Sequence, residues 1–122
     1  MDSINTTLEE LKRFILTRRL ASYDDAYWLS VVKGLQYLFA LRDAANNREL
    51  VMTSFNNLRT EVLGQTDDRF IEDLIDELNA ILIHYYPMPD FWTSTIDDFR
   101  LHVNFARYFN LLDKQSHEKN SS

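Results

Sequence analysis

The sequence predicts an all-α protein, a single-domain bundle of about five antiparallel-type helices, on three observations. Apolar residues recur at three- and four-residue steps through five separate stretches, the period of an amphipathic helix. Two glycines and two prolines leave little material for the tight turns that many short strands need. Two tryptophans, six tyrosines and eight phenylalanines in 122 residues supply a core that requires neither disulfides nor metal, and that a disordered chain would lack.

Four helix starts share one device, a hydroxyl just ahead of one or two carboxylates: Thr7-Leu8-Glu9-Glu10, Ser22-Tyr23-Asp24-Asp25, Thr66-Asp67-Asp68 and Thr95-Ile96-Asp97-Asp98. The side-chain oxygen can accept an unpaired N–H of the first turn, and the acids face the positive end of the helix dipole. The first helix is expected from about Leu8 to Arg19, with Leu8, Leu11 and Ile15 on one face, Phe14 beside them, and Lys12, Arg13, Arg18 and Arg19 mostly toward its C-terminal half. The second runs from about Tyr23 to Ala45 on the stripe Trp28, Val31, Val32, Leu35, Leu38 and Phe39. Gly34 inside it costs about 1 kcal/mol unless close packing requires it.

The third helix, about Arg48 to Leu63, takes Asn46 or Asn47 as its cap and repeats Val51, Phe55, Leu58 and Val62, with Gly64 as a left-handed stop. The fourth, about Asp67 to Tyr86, carries Ile71, Leu74, Ile75, Leu78, Ile81, Leu82 and Tyr85 on one face, and Pro87 and Pro89 end it. The fifth, about Thr95 to Leu112, has two apolar sides, Phe99, Val103 and Ala106 on one and Leu101, Phe105, Tyr108 and Leu112 on the other. Such a helix is either central in the bundle or half of a partner interface. Residues 1–112 form the expected bundle domain, and the polar run 113–122 an expected flexible tail.

Composition excludes several function classes. Without cysteine there is no disulfide, zinc ribbon or thiol nucleophile. Residues 1–20 lack the pattern of a signal peptide, and no window approaches the roughly 18 continuous apolar residues of a membrane span, so a soluble, cytoplasmic protein is the expectation. A net charge of −6 repels phosphate backbones and makes a basic protein a more natural partner than nucleic acid. There is no Gly-x-Ser-x-Gly elbow, no Gly-rich phosphate loop and no His-Glu-x-x-His run. Asp73 with Glu77, and Glu72 with Asp76, could each put two carboxylates on one helix face, but no histidine pattern completes a metal set. The expectation is a protein that is not an enzyme and holds no cofactor or metal.

The acidity is local. Residues 65–98 hold nine carboxylates against the single base Arg69, a net −8, whereas the remainder holds ten acids and twelve bases. Asp67, Asp68, Asp97 and Asp98 belong to helix starts, which leaves Glu72, Asp73, Asp76, Glu77 and Asp90. Beside them stand Ile83, Tyr86 and Trp92, apolar or aromatic groups within an acidic rim, as in a protein–protein hot spot. Those eight residues are the expected contacts of a basic protein partner such as a toxin or nuclease. For Trp92 the competing expectation is a lid folded onto the bundle end. A second functional expectation is a structural or regulatory helical subunit that homodimerises or docks through the fifth helix.

The run Ile83-His84-Tyr85-Tyr86-Pro87 next to an acidic helix resembles the immunity proteins of nuclease bacteriocins, small acidic helical proteins in which Tyr-Tyr-Pro lies beside an acidic helix. The resemblance covers the three residues Tyr85, Tyr86 and Pro87 and implies an inhibitor that neutralises a basic enzyme.

Overall fold

The computed structural model describes residues 2–85 and 87–121, and the side chains of 3–85 and 87–115. Six helices and no strand are present among the described residues: α1 (Asp2–Leu16), α2 (Asp25–Ala45), α3 (Arg48–Gln65), α4 (Arg69–Leu82), α5 (Ile96–Leu101) and α6 (Ala106–Ser121). None of the described helices is long and apolar enough to cross a membrane.

α2 is the central helix. Its buried residues Tyr27, Val31, Val32, Gly34, Leu35, Leu38, Phe39 and Leu41 cover about 180° of its circumference at 100° per residue, so no single neighbour can shield it. α1, α3, α4 and α6 all pack on it. This is the place the sequence reading offered to the fifth helix. α1, α3 and α4 are each apolar along one stripe. In α3 the buried residues are Val51, Phe55, Leu58 and Val62, and in α4 they include Ile71, Leu74, Ile75, Leu78, Ile81 and Leu82, as their spacing predicts.

Gly34 sits where α2 crosses α4. A Cβ added there would stand 2.8 and 2.9 Å from the two Cδ atoms of Leu78, a side chain with no exposed surface of its own. Close approach of the two helices therefore accounts for this glycine. Gly64 has no such role: α3 runs through it to Gln65, its φ is not positive, and open space surrounds its Cα. The left-handed position belongs instead to Asn46 (φ 49°), whose N–H donates to the Arg42 carbonyl at 2.8 Å and closes α2, while the Asn47 side chain accepts from Leu50 N–H and opens α3.

The caps follow the predicted device in part. Thr95 and Asp98 form a reciprocal capping box at α5. At α2 and α4 the cap is the aspartate two residues on: Asp24, whose carboxylate Ser22 Oγ holds at 2.8 Å, and Asp68, whose N–H donates to Thr66 Oγ1 at 3.0 Å. Thr7 lies inside α1, which begins at Asp2 and ends at Leu16, three residues before the expected Arg19. α4 stops at Leu82 rather than Tyr86. His84 adopts φ 57°, Tyr85 N–H donates to Ala80 O and His84 N–H to Ile81 O, the paired bonds of a Schellman ending.

The expected fifth helix is two helices. In one continuous helix Phe99 and Phe105 would lie about 120° apart around the axis. An extended backbone at His102 (ψ 137°) resets the phase, and Phe99, Phe105 and Phe109 all become buried. The His102 carbonyl accepts from Phe105 and Ala106 N–H, and its Nδ1 accepts from Asn104 N–H, so the histidine caps the second segment. Leu101 and Val103, placed in apolar faces by the sequence reading, are turned outward and are 83% and 86% exposed. α6 continues past Leu112, the expected end of the helix, through the expected tail to Ser121.

Alanine at Gly34 should gain about 1 kcal/mol of helix propensity and lose about 1–3 kcal/mol by overpacking against Leu78. The expected outcome is a net loss of ~1 kcal/mol, read as a lower urea midpoint at unchanged slope. Made in a Leu78→Ala background, the same change should be neutral or stabilising; strict additivity of the two changes would rule the contact out.

Candidate functional site

The stripe that buries α4 leaves Glu72, Asp73, Asp76 and Glu77 partly or fully exposed, on the side away from Leu78 and Leu82. Asp73, Asp76 and Glu77 are each engaged within the chain. Asp76 Oδ1 accepts from Arg59 Nε and Nη2 at 3.0 and 2.8 Å. Asp73 Oδ2 accepts from the Tyr23 hydroxyl and lies 3.9 Å from Arg69 Nε. Glu72, half-buried, makes no side-chain hydrogen bond or ion pair among the described residues. Ile83, the C-cap of α4, is 49% exposed. Tyr86 lies outside the described residues.

Asp90 and Trp92 do not join this face. Asp90 Oδ1 accepts from Trp92 N–H at 3.2 Å and Oδ2 from Thr93 Oγ1 at 3.1 Å, so its carboxylate folds the loop on itself. Trp92 is the lid: its Nε1 donates to the Leu82 carbonyl at 2.8 Å, at the open end of α4, and its ring packs edge-on against the fully buried Phe91 and beneath the Arg48 guanidinium. Arg42 of α2 clamps the loop. Its Nη1 donates to the carbonyls of Phe91 (2.6 Å) and Ser94 (2.8 Å), and its guanidinium stands 4.6 Å over the Phe39 ring. The expected interface aromatic is thus a buried-side structural group, because the Pro-bounded loop has carbonyls that need donors and α2 presents an arginine to supply them.

The acidic face has aromatic neighbours that the sequence reading left in the core or on the fifth helix. Tyr23, Tyr27 and Trp28, from the start of α2, face Asp73, Asp76 and Glu77 across a hollow of about 320 Å³. Trp28 and Glu77 also border a second hollow of about 650 Å³, closed by Met88, Phe105 and Tyr108. The rings form a ladder: Phe70 to Tyr23 at 4.9 Å, Tyr23 to Tyr27 at 5.2 Å, Tyr27 to Trp28 at 5.2 Å, and Trp28 stacked on Tyr108 at 6.1 Å. The two hollows form one groove whose walls are π faces and carboxylates, a setting that attracts cations. Next to Tyr108, Arg107 is paired with Asp25 at 2.8 Å and stands 5.8 Å from the Tyr108 ring. Tyr108 lies 80 residues from Trp28, so no local pattern could have joined them. Among the described residues no group of three His, Asp or Glu side chains is placed to hold a metal ion.

The hydrogen bond to Asp73, with partial desolvation and the charge of that carboxylate, raises the Tyr23 phenol above its ordinary value of 10.0, while Arg69 acts in the opposite direction. A raised folded-state value means that the bond contributes in full below the ordinary value and is lost as pH rises through the folded one. The stability advantage of the protein over Tyr23→Phe should therefore hold at neutral pH and vanish above pH 10.0 as the phenol ionises. A difference that stays constant across that range in urea titrations would mean the bond contributes nothing.

For the clamp, Arg42→Met should cost about 2–3 kcal/mol, the scale of charge-assisted bonds to carbonyls that lose their donor. In a Trp28→Phe background the emission of Trp92 should move to the red as its ring loses cover.

Comparison with protein-family models, with curated proteins and with solved structures yields no match.

Proposed function

We propose that this chain is a non-catalytic acidic binding protein that neutralises or regulates a basic protein partner, in the manner of an immunity or antitoxin protein acting on a toxin or nuclease. The observation that carries the reading is the groove in which Asp73, Asp76 and Glu77 meet Tyr23, Trp28 and Tyr108. Carboxylates at its rim speed the approach of a basic surface, and rings along its walls hold an inserted arginine or lysine stem once it has arrived. The Arg59–Asp76 and Arg69–Asp73 pairs are no barrier to this. Both are solvent-exposed, a class of ion pair that contributes roughly 0–1 kcal/mol, and a partner cation can take the place of either arginine. Glu72 adds charge to the same face. The partner contacts are accordingly Glu72, Asp73, Asp76, Glu77 and Ile83, joined by Tyr23, Trp28 and Tyr108 in place of Asp90 and Trp92.

A second reading rests on Leu101 and Val103. Two aliphatic side chains so exposed at the α5–α6 corner suit a helical subunit that pairs or docks there.

One binding experiment separates the two. Immobilised protein should retain a basic protein at low ionic strength, release it progressively as salt screens the surface, and bind it about tenfold more weakly after Glu72→Lys with Glu77→Lys. A captured nuclease should lose activity in proportion to occupancy. Association that ignores salt and those substitutions, yet disappears with Leu101→Ser, would replace the first reading by the second.

A further inference from the structure

We propose that a second cleft, formed by the end of α1, the first half of α2 and the middle of α6, binds an amphipathic anion: a single-chain ligand with a carboxylate or phosphate head. The cleft encloses about 530 Å³, within the range of small-ligand sites, and shares no lining residue with the acidic groove.

Its charge is the reverse of the molecule's. Arg18, Arg19 and Lys33 line it, and no Asp or Glu does so among the described residues. None of these three bases takes part in an ion pair among the described residues, as is true also of Arg13, Arg48 and Lys114, whereas Lys12, Arg42, Arg59, Arg69, Arg100 and Arg107 each have a carboxylate within 3.9 Å. The negative end of the α1 dipole accounts for a base at Arg18 or Arg19. It does not account for Lys33, which lies in the interior of α2, is half-buried, and faces the same space.

The floor is apolar and unfinished. Phe14, Leu20, Leu29 and Leu112 line the cleft and each stops at half-burial, whereas the neighbouring Leu11, Ile15 and Val32 are fully buried. The mouth is preorganised. Arg18 Nε donates to the Phe14 carbonyl at 2.9 Å and its guanidinium lies 4.2 Å over the Phe14 ring, which holds the cation at the boundary between apolar floor and water. A cationic rim above a half-covered apolar floor matches a head-and-chain anion. Basic side chains can also cover apolar surface by themselves with their heads in water. That alternative involves no ligand and is distinguishable by charge.

The test is calorimetric titration of the full chain with four probes: octyl phosphate, octanoate, octyl glucoside and inorganic phosphate. Octyl phosphate and octanoate should bind, each about tenfold or more tightly than the uncharged octyl glucoside and the chainless phosphate, since both the charge-assisted contact and the apolar contact are needed. Arg19→Gln with Lys33→Gln should weaken octyl phosphate by about tenfold or more, with an unchanged far-ultraviolet circular dichroism spectrum; if the double variant fails to fold, Lys33→Gln alone carries the test. Four outcomes overturn the proposal: equal binding of octyl glucoside, equal binding of inorganic phosphate, indifference to the substitutions, or binding to phosphatidylglycerol vesicles with none to the monomeric amphiphiles. These readouts involve no protein partner, so they stand or fall separately from the acidic groove.

Discussion

The need to cover α2 governs this protein. A helix that is apolar over about half its circumference is stable only when covered on several sides, and the rest of the chain supplies the cover as α1, α3, α4 and α6. The contact with α4 is close, made possible by the missing Cβ at Gly34 and filled by Leu78. Once α4 is held there by Leu74, Leu78 and Ile81, the direction of its acids is settled. Glu72, Asp73, Asp76 and Glu77 face outward because their helix is amphipathic and its other side is taken. The acidic face is therefore a product of core packing.

The end of the bundle shows how polar requirements choose among aromatic side chains. The loop after α4 leaves carbonyls at Leu82, Phe91 and Ser94 without helical partners, and an unmet buried carbonyl costs about 1–3 kcal/mol. Trp92 Nε1 and the Arg42 guanidinium meet them, and Phe91 fills the space behind Phe39. Among the described residues no buried side-chain nitrogen or oxygen lacks a partner. Trp92 is consequently committed to the fold. Trp28 and Tyr108, whose rings meet no comparable demand, keep partly exposed faces toward the groove.

Charge is divided rather than spread. One side presents carboxylates with rings, the other presents Arg18, Arg19 and Lys33 over aliphatic carbon. The pairs on the acidic side, Arg59 with Asp76 and Arg69 with Asp73, are exposed and exchangeable.

Local pattern reads well where one helix meets one environment. The spacing Val51, Phe55, Leu58, Val62 determined the buried face of α3, the α4 stripe determined its acidic opposite, and Thr95 with Asp98 determined a cap, because each is settled within a few turns of chain. The sequence by itself thus determined an all-helical protein and the location of its acids. Tertiary structure decided what those acids meet. Tyr23 reaches Asp73 across 50 residues, Arg42 reaches Phe91 across 49, and Trp28 stacks on Tyr108 from another helix. It decided also that the run 96–112 breaks at His102, with neither glycine nor proline to mark the place, where the His102 carbonyl and ring cap the second segment and Phe99, Phe105 and Phe109 are all buried. Helical periodicity records which side of a helix is apolar; which neighbours that side finds is fixed by contacts whose partners lie far apart in the chain.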